Sequence, residues 1–116
     1  MRQDTETAVR MAVEQWAEAW SRRDVASYLA CYADDYVPDG MSRATWEARR
    51  KLRISRPRSI KVELRQVEVS VSPDGIASAR FVQDFRADNY RETGVRKELR
   101  LKNEHGRWLI VGEKAV

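Results

Sequence analysis

With 116 residues, 42% of them hydrophobic, the chain suits one domain, residues 1–116, built around one core, and 34% charged residues give that core a solvated surface. No apolar run approaches the ~18 residues a membrane-spanning helix needs, and a single cysteine and a single histidine exclude an internal disulfide and a Cys/His zinc centre. Residues 1–6 lack the apolar segment of a secretory leader. A cytoplasmic setting is therefore expected if the chain is complete, and a periplasmic one if it is a domain of an exported protein. No metal or cofactor is expected.

Helix one is predicted from about Asp4 to Arg22, because Val9, Val13, Trp16 and Trp20 form one helical stripe, with Asp4 or Thr5 as cap. A short second helix starts at the N-cap Asp24, places Val25, Tyr28, Leu29 and Tyr32 on one face, and ends at Asp34-Asp35. Cys31 on this helix is expected as a buried structural thiol. Tyr36-Val37 is a candidate short strand before a Pro38-Asp39-Gly40 turn. Ser42 caps a third helix to about Ser55, stopped by Pro57, with Trp46 and Leu52 as its anchors. Net charge is +4, yet Arg43 to Arg58 alone holds seven basic residues against Glu47. This positive field is local; with Trp46 as the lone interleaved aromatic it reads as a solvated helix face, and nucleic acid is not the expected partner.

From Ile60 onward the period changes to two. Ile60, Val62 and Leu64 alternate on even positions and Val67, Val69 and Val71 on odd ones, so the phase flips at Arg65-Gln66. A β-bulge there restores the phase and bends the strand. Ser72-Pro73-Asp74-Gly75 is a turn signature. Strand two, Ile76 to Ala87, aligns Ala77, Ala79, Phe81, Gln83 and Phe85 on one face. Asp88-Asn89-Tyr90 and Thr93-Gly94 suggest a longer loop before strand three, Val95 to Asn103, where Val95, Lys97, Leu99 and Leu101 share a side. Glu104-His105-Gly106 then turns into strand four, Arg107 to Lys114, and His105 is expected exposed in that turn. Helices followed by a strand meander predict an α+β domain.

Several stretches carry a family resemblance: Trp16-Ala17-Glu18-Ala19-Trp20, Asp24-Val25-Ala26-Ser27-Tyr28, Tyr32-Ala33-Asp34-Asp35-Tyr36 and Gly106-Arg107-Trp108-Leu109-Ile110-Val111. Together they resemble the nuclear transport factor 2-like superfamily over nearly the whole chain. Phe81-Val82-Gln83-Asp84-Phe85 and Lys97-x-Leu99-x-Leu101 look most like the variant found as a C-terminal domain of bacterial envelope proteins. The resemblance implies a cystatin-like cone, with three N-terminal helices packed on a strongly bent four-stranded antiparallel sheet and a cavity inside. It also implies frequent dimerisation through the outer sheet face, to which Trp108–Val111 and the set Val67, Val69 and Val71 are expected to contribute. The superfamily includes isomerases, polyketide cyclases, dehydratases and non-catalytic binding domains, so the fold leaves the function open.

A pocket in that cone would be lined by Trp16, Trp20, Tyr32 and Trp46 from the helices and by Phe81, Gln83, Phe85, Lys97 and Trp108 from the sheet. Gln83 and Lys97 interrupt apolar strand faces and need partners. One reading has them bond each other or the backbone, with Glu113 as a third member; the other has them form a polar centre in the cone suited to an anion such as a carboxylate. On this reading Lys97→Met abolishes binding and leaves the fold intact. The favoured function is a non-catalytic ligand- or partner-binding domain, an accessory to cell-envelope enzymes. The alternative is a small-molecule isomerase, cyclase or dehydratase of the ketosteroid isomerase-like type, with Asp35 as base and Tyr32 as donor.

Overall fold

The computed structural model describes residues 2–38 and 40–116, with side chains from Thr5 onward. The Asp4 side chain and Asp39, in the expected Pro38–Gly40 turn, lie outside the described residues. Three helices come first: α1 (Arg2–Ser21), α2 (Val25–Ala30) and α3 (Arg43–Ser55). Four strands follow: β1 (Ile60–Val71), β2 (Ala77–Ala87), β3 (Tyr90–Glu104) and β4 (Arg107–Ala115). They form one antiparallel sheet in the order β1-β2-β3-β4.

The predicted stripe of α1 is its buried face, with Val9, Val13 and Trp16 fully enclosed and Trp20 nearly so. Asp24 caps α2 by accepting from the Ser27 amide at 3.2 Å, and Ser42 caps α3 by accepting from the Thr45 amide at 3.1 Å. α2 ends at Ala30, four residues before the expected Asp34-Asp35 stop. The chain then leaves the helix to join the sheet. Tyr32 forms a single parallel bridge to Ile110, the Ala33 amide donates to the Ile110 carbonyl at 2.9 Å, and the Ile110 amide donates to the Cys31 carbonyl at 2.8 Å. This bridge takes the place of the short strand expected near Tyr36. Cys31 is half-buried rather than buried, its thiol donating to the Ser27 carbonyl at 3.3 Å.

The anchors of α3 are Trp46 and Ile54; Leu52 is 50% exposed. Trp46, Arg50 and Ile54 follow one another at four-residue intervals and so lie on one stripe, whereas Leu52 points well away from it.

The bulge in β1 is present. Arg65 pairs with Val82 and Glu68 with Arg80, so Gln66 and Val67 of β1 together oppose Phe81 of β2, and Gln66 takes φ 56°. Val67 and Val69 consequently pack on the same core as Ile60 and Val62. Their expected place on the outer face is thus corrected: the extra residue carries them back to the helix side, and Val71 ends the strand 45% exposed. A second correction concerns residues 88–94. No long loop exists there; β2 and β3 join in a tight hairpin at Asp88-Asn89. Thr93-Gly94 marks a bulge inside β3, where Gln83 pairs with Val95 but Phe85 with Glu92. Gly94 adopts φ 73°, a conformation glycine accepts without steric cost, and its amide donates to Asp84 at 2.9 Å. A third irregularity, in β4, sets Gly112 opposite Arg100 and Ile110 opposite Leu101. These three defects curl the sheet around α1.

Candidate functional site

Inside the curl, α1 packs mainly on β1 and also on β2 and β4, and α2 packs on both α1 and α3. Aromatic rings close the apex. Trp16 lies 5.4 Å from Trp20 and 5.9 Å from Phe81, and Tyr32 lies 5.4 Å from Tyr28 and 4.7 Å from Trp46, centroid to centroid. A chain of polar contacts runs through this packing. Trp16 Nε1 donates to the Tyr32 hydroxyl at 3.0 Å, and Tyr32 donates to Glu113 Oε1 at 2.7 Å. Because Tyr32 spends its proton on Glu113, Tyr28 donates to Tyr32, 3.0 Å away, and itself accepts from Arg50 at 2.9 Å. Lys97 Nζ donates to Glu113 Oε2 at 2.9 Å, and Arg50 lies 3.7 Å from Oε1.

Glu113 is the centre of this network. Burial pushes its carboxyl upward, but Lys97 and Arg50, with the Tyr32 hydroxyl, more than cancel that and hold it below the ordinary 4.5. Tyr28 is pushed up to about 12 by burial first, with the negative Glu113 adding to it, and Tyr32 goes well above 10 for the same leading reason. Burial alone would pull Arg50 down, but Tyr28 and Glu113 override it and raise the guanidinium further. Two cations against one carboxylate leave the interior formally positive.

The pH dependence of stability follows from these directions. Glu113 is lowered in the fold, so its contribution is complete above pH 4.5, the ordinary value, and is lost as pH falls through the folded value. Tyr28 is raised, so its contribution is complete below pH 10 and is lost as pH climbs from 10 towards 12. Urea midpoints are expected to be flat between about pH 5 and pH 9 and to fall on both sides. Glu113→Leu should reduce the acid limb, and Asp24, Asp74, Asp84 and Glu98, whose carboxyls are also held low by their hydrogen bonds, supply the rest; an acid limb unchanged in that variant would remove Glu113 as a contributor.

Below the apex a cleft of 430 Å³ opens between α3 and the β2–β3 wall, a size within the range of small-molecule sites. Trp20, Gln83, Phe85 and Lys97, among the residues singled out in the sequence, line it. Trp16, Tyr32, Trp46 and Phe81 lie behind it, all at most 3% exposed, and serve as packing. Trp108 is elsewhere, in a separate depression with Met11 and Cys31 beside α1, because its register places it opposite Asn103 at the far end of the sheet. Asp35 is exposed on the turn after α2. The interior carboxylate is Glu113, carried inward by the β4 bulge. Lys97 does turn inward, its side chain 14% exposed, with Nζ 5.6 Å from the ring centroids of Trp16 and Trp20.

Arg50 escaped notice in the sequence because it sits in a run of charge, yet its spacing from Trp46 and Ile54 was the available signal. The basic segment is not one patch. Arg43 donates to the Ala33 carbonyl at 2.6 Å and to the Tyr36 carbonyl at 3.0 Å, tying α3 to the exit of α2, and Arg50 turns inward.

The helices, the thrice-bulged sheet and the ring-filled apex together set the frame in which a family model, the Cds6 C-terminal NTF2-like domain, matches residues 8–114. The chain belongs to this family. No curated protein matches it in sequence. Among solved structures, Bd1075 of Bdellovibrio bacteriovorus is 23% identical to this NTF2-like domain with a TM-score of 0.82, covering 99% of this chain and 40% of that one. The helical cell shape determining protein Pgp2 from Campylobacter jejuni is 22% identical with a TM-score of 0.72, covering 89% and 38%. An NTF2-like protein of unknown function from Pseudomonas putida is 20% identical with a TM-score of 0.78, covering 97% and 86%. The NTF2-like domain thus spans only 40% of Bd1075 and 38% of Pgp2. At these identities the likeness shows the fold. No helix among the described residues is long and apolar enough to cross a membrane.

Proposed function

We propose that this NTF2-like domain is a non-catalytic binding module whose cone, entered between α3 and β2–β3, receives a small molecule or a protruding group of a larger partner. The observation that carries the reading is the state of Glu113. A general base needs a free lone pair and a pKa poised near the working pH. Both Glu113 oxygens are already engaged, by Tyr32 and Arg50 on one side and Lys97 on the other, and the carboxyl is held low. The aromatic apex leaves the lower cleft, with Trp20, Gln83, Phe85 and Lys97, as the space for a ligand. Bd1075 and Pgp2 contain a comparable domain within a longer chain, and Pgp2 determines helical cell shape. That supports a role as an accessory to cell-envelope enzymes.

One observation favours the enzymatic alternative: a buried carboxylate 2.7 Å from a tyrosine hydroxyl. That pair is Glu113 with Tyr32, not Asp35. A fragment set of mixed charge, screened by NMR on the labelled protein, tests both readings. Binders are expected to shift the Trp20 indole and the Gln83 side-chain amide and to be recovered unchanged. No fragment shifting these groups would overturn the pocket. Turnover of a bound fragment, lost in Glu113→Gln, would overturn the non-catalytic half.

A homodimer through the outer sheet face belongs to the same proposal. Half-buried Leu109 and Val111 of β4 support it, and the neighbouring Glu98, held by Arg80 at 3.0 Å and Lys114 at 3.3 Å, would form part of a polar rim. Light scattering at twice 13.5 kDa is the expected result, and 13.5 kDa at high concentration would exclude it.

A further inference from the structure

Two walls of the cleft differ in chemistry. On one side three rings form a continuous ramp from apex to mouth: buried Trp20 of α1, half-buried Phe85 of β2 at 5.1 Å from it, and Tyr90 of β3, 57% exposed, at 6.0 Å from Phe85. On the helix side Arg50, Arg53 and Arg56 recur every three residues along α3 and its C-cap, descending the opposite wall. Arg50 is spent on Tyr28 and Glu113, and Lys97 is spent on Glu113. The side chains of Arg53 and Arg56 have neither a hydrogen bond nor an ion pair among the described residues, although the Arg56 amide donates to the Leu52 carbonyl at 3.0 Å, and both residues line the cleft. Between the walls sits Gln83, 3% exposed, whose Oε1 has no hydrogen-bond partner among the described residues. A buried amide oxygen without a donor carries a desolvation cost that a ligand can relieve.

We infer that the cleft takes a ring-bearing organic acid whose carboxylate is clamped by Arg53 and Arg56 at the mouth, whose ring lies on the Trp20–Phe85–Tyr90 ramp, and whose hydroxyl or N–H donates to Gln83. The inference rests on the binding reading above and relocates the anion that the sequence assigns to Lys97. Lys97 and Arg50 hold Glu113 charged, and drawing Lys97 to a ligand would strip a buried carboxylate of its partner. The mouth arginines carry no such obligation. Planar guanidinium groups suit bidentate contact with a carboxylate, and the aromatic ramp supplies the apolar area that gives a small acid its affinity. Glu92 on the same rim lines the cleft beside Val95. It repels a second anionic group, which favours a monoacid.

Three probes of one shape test this by NMR titration: 4-hydroxyphenylacetate, its neutral amide 4-hydroxyphenylacetamide, and 4-methylphenylacetate, which lacks the donor. The hydroxy acid is expected to bind roughly tenfold tighter than each of the other two, as one charge-assisted or one buried hydrogen bond gives, and to weaken with added salt. Arg53→Gln/Arg56→Gln changes two exposed side chains, so it keeps the fold, and it should erase the acid-over-amide preference alone. Gln83→Leu should erase the hydroxyl-over-methyl preference alone. Acid and amide binding equally, an acid preference that survives the double arginine variant, or silence from all three probes overturns the inference. The mixed-charge fragment screen decides the binding reading independently, because neutral fragments that shift Trp20 sustain the pocket even when the acids do not bind.

Discussion

Glu113→Leu is expected to destabilise the domain by about 3–5 kcal/mol, the cost of removing one partner from a buried ion pair. The substitution leaves Lys97 Nζ, on a side chain 14% exposed, and the Arg50 guanidinium, 19% exposed, facing each other without their carboxylate. It also takes the acceptor from the Tyr32 hydroxyl. Lys97→Met alone is expected to cost about 1–3 kcal/mol, because Glu113 keeps Tyr32 and Arg50. The fold is expected to survive that loss at reduced stability, since a total of about 5–15 kcal/mol is usual for such a domain. The double variant Lys97→Met/Glu113→Leu should cost clearly less than the two singles together, since it removes both charges of the pair. Urea unfolding at pH 7 measures all three. A loss under about 1 kcal/mol for Glu113→Leu would show that the network does not hold the cone together.

Trp16→Ala is expected to cost about 3–5 kcal/mol and to lower Tm by roughly 10–20 °C. Trp16 is fully buried and touches Trp20, Tyr28 and Phe81, and its indole N–H is bonded to Tyr32. Removal opens a cavity where α1 meets the sheet and deprives the polar network of a donor. With a total stability of about 5–15 kcal/mol usual for such a domain, this loss alone can unfold much of the population at 37 °C. Trp16→Phe should retain most of the packing and lose mainly the hydrogen bond, about 1–2 kcal/mol. Leu52→Ala serves as the contrast. Its side chain lies off the buried stripe of α3 and is half-exposed, so a change within about 0.5 kcal/mol is expected. Thermal and urea denaturation give both values, and a Leu52→Ala loss matching that of Trp16→Ala would contradict the packing described.

Local signals carried the helices well. The Val9-Val13-Trp16-Trp20 stripe and the caps Asp24 and Ser42 depend on neighbours within a turn or two, and each stands where its spacing puts it. The β1 bulge was equally legible, because a phase flip at Arg65-Gln66 has one cheap remedy in a strand buried on one face. Thr93-Gly94 misled for an instructive reason. Glycine at positive φ serves a loop and a bulge alike, and only the partner strand decides which. The exit of α2 escaped for the same reason. Tyr32 leaves the helix to bridge Ile110, 78 positions away in the chain, and no local pattern encodes that partner.

By itself, then, the sequence determined the α+β order, the buried stripe of α1, the bend of β1 and the inward parity of Gln83 and Lys97, all of which follow from periods of 3.6 and 2.0 that any short window displays. The tertiary structure decided which charges meet. Glu113 sits beyond a bulge in β4, Arg50 lies in a run of basic residues on α3, and Lys97 stands 16 positions before Glu113. Their convergence on one carboxylate depends on how three bulges curl the sheet beneath α1. Electrostatic partnership is a matter of distance in space, and a linear pattern holds no measure of it.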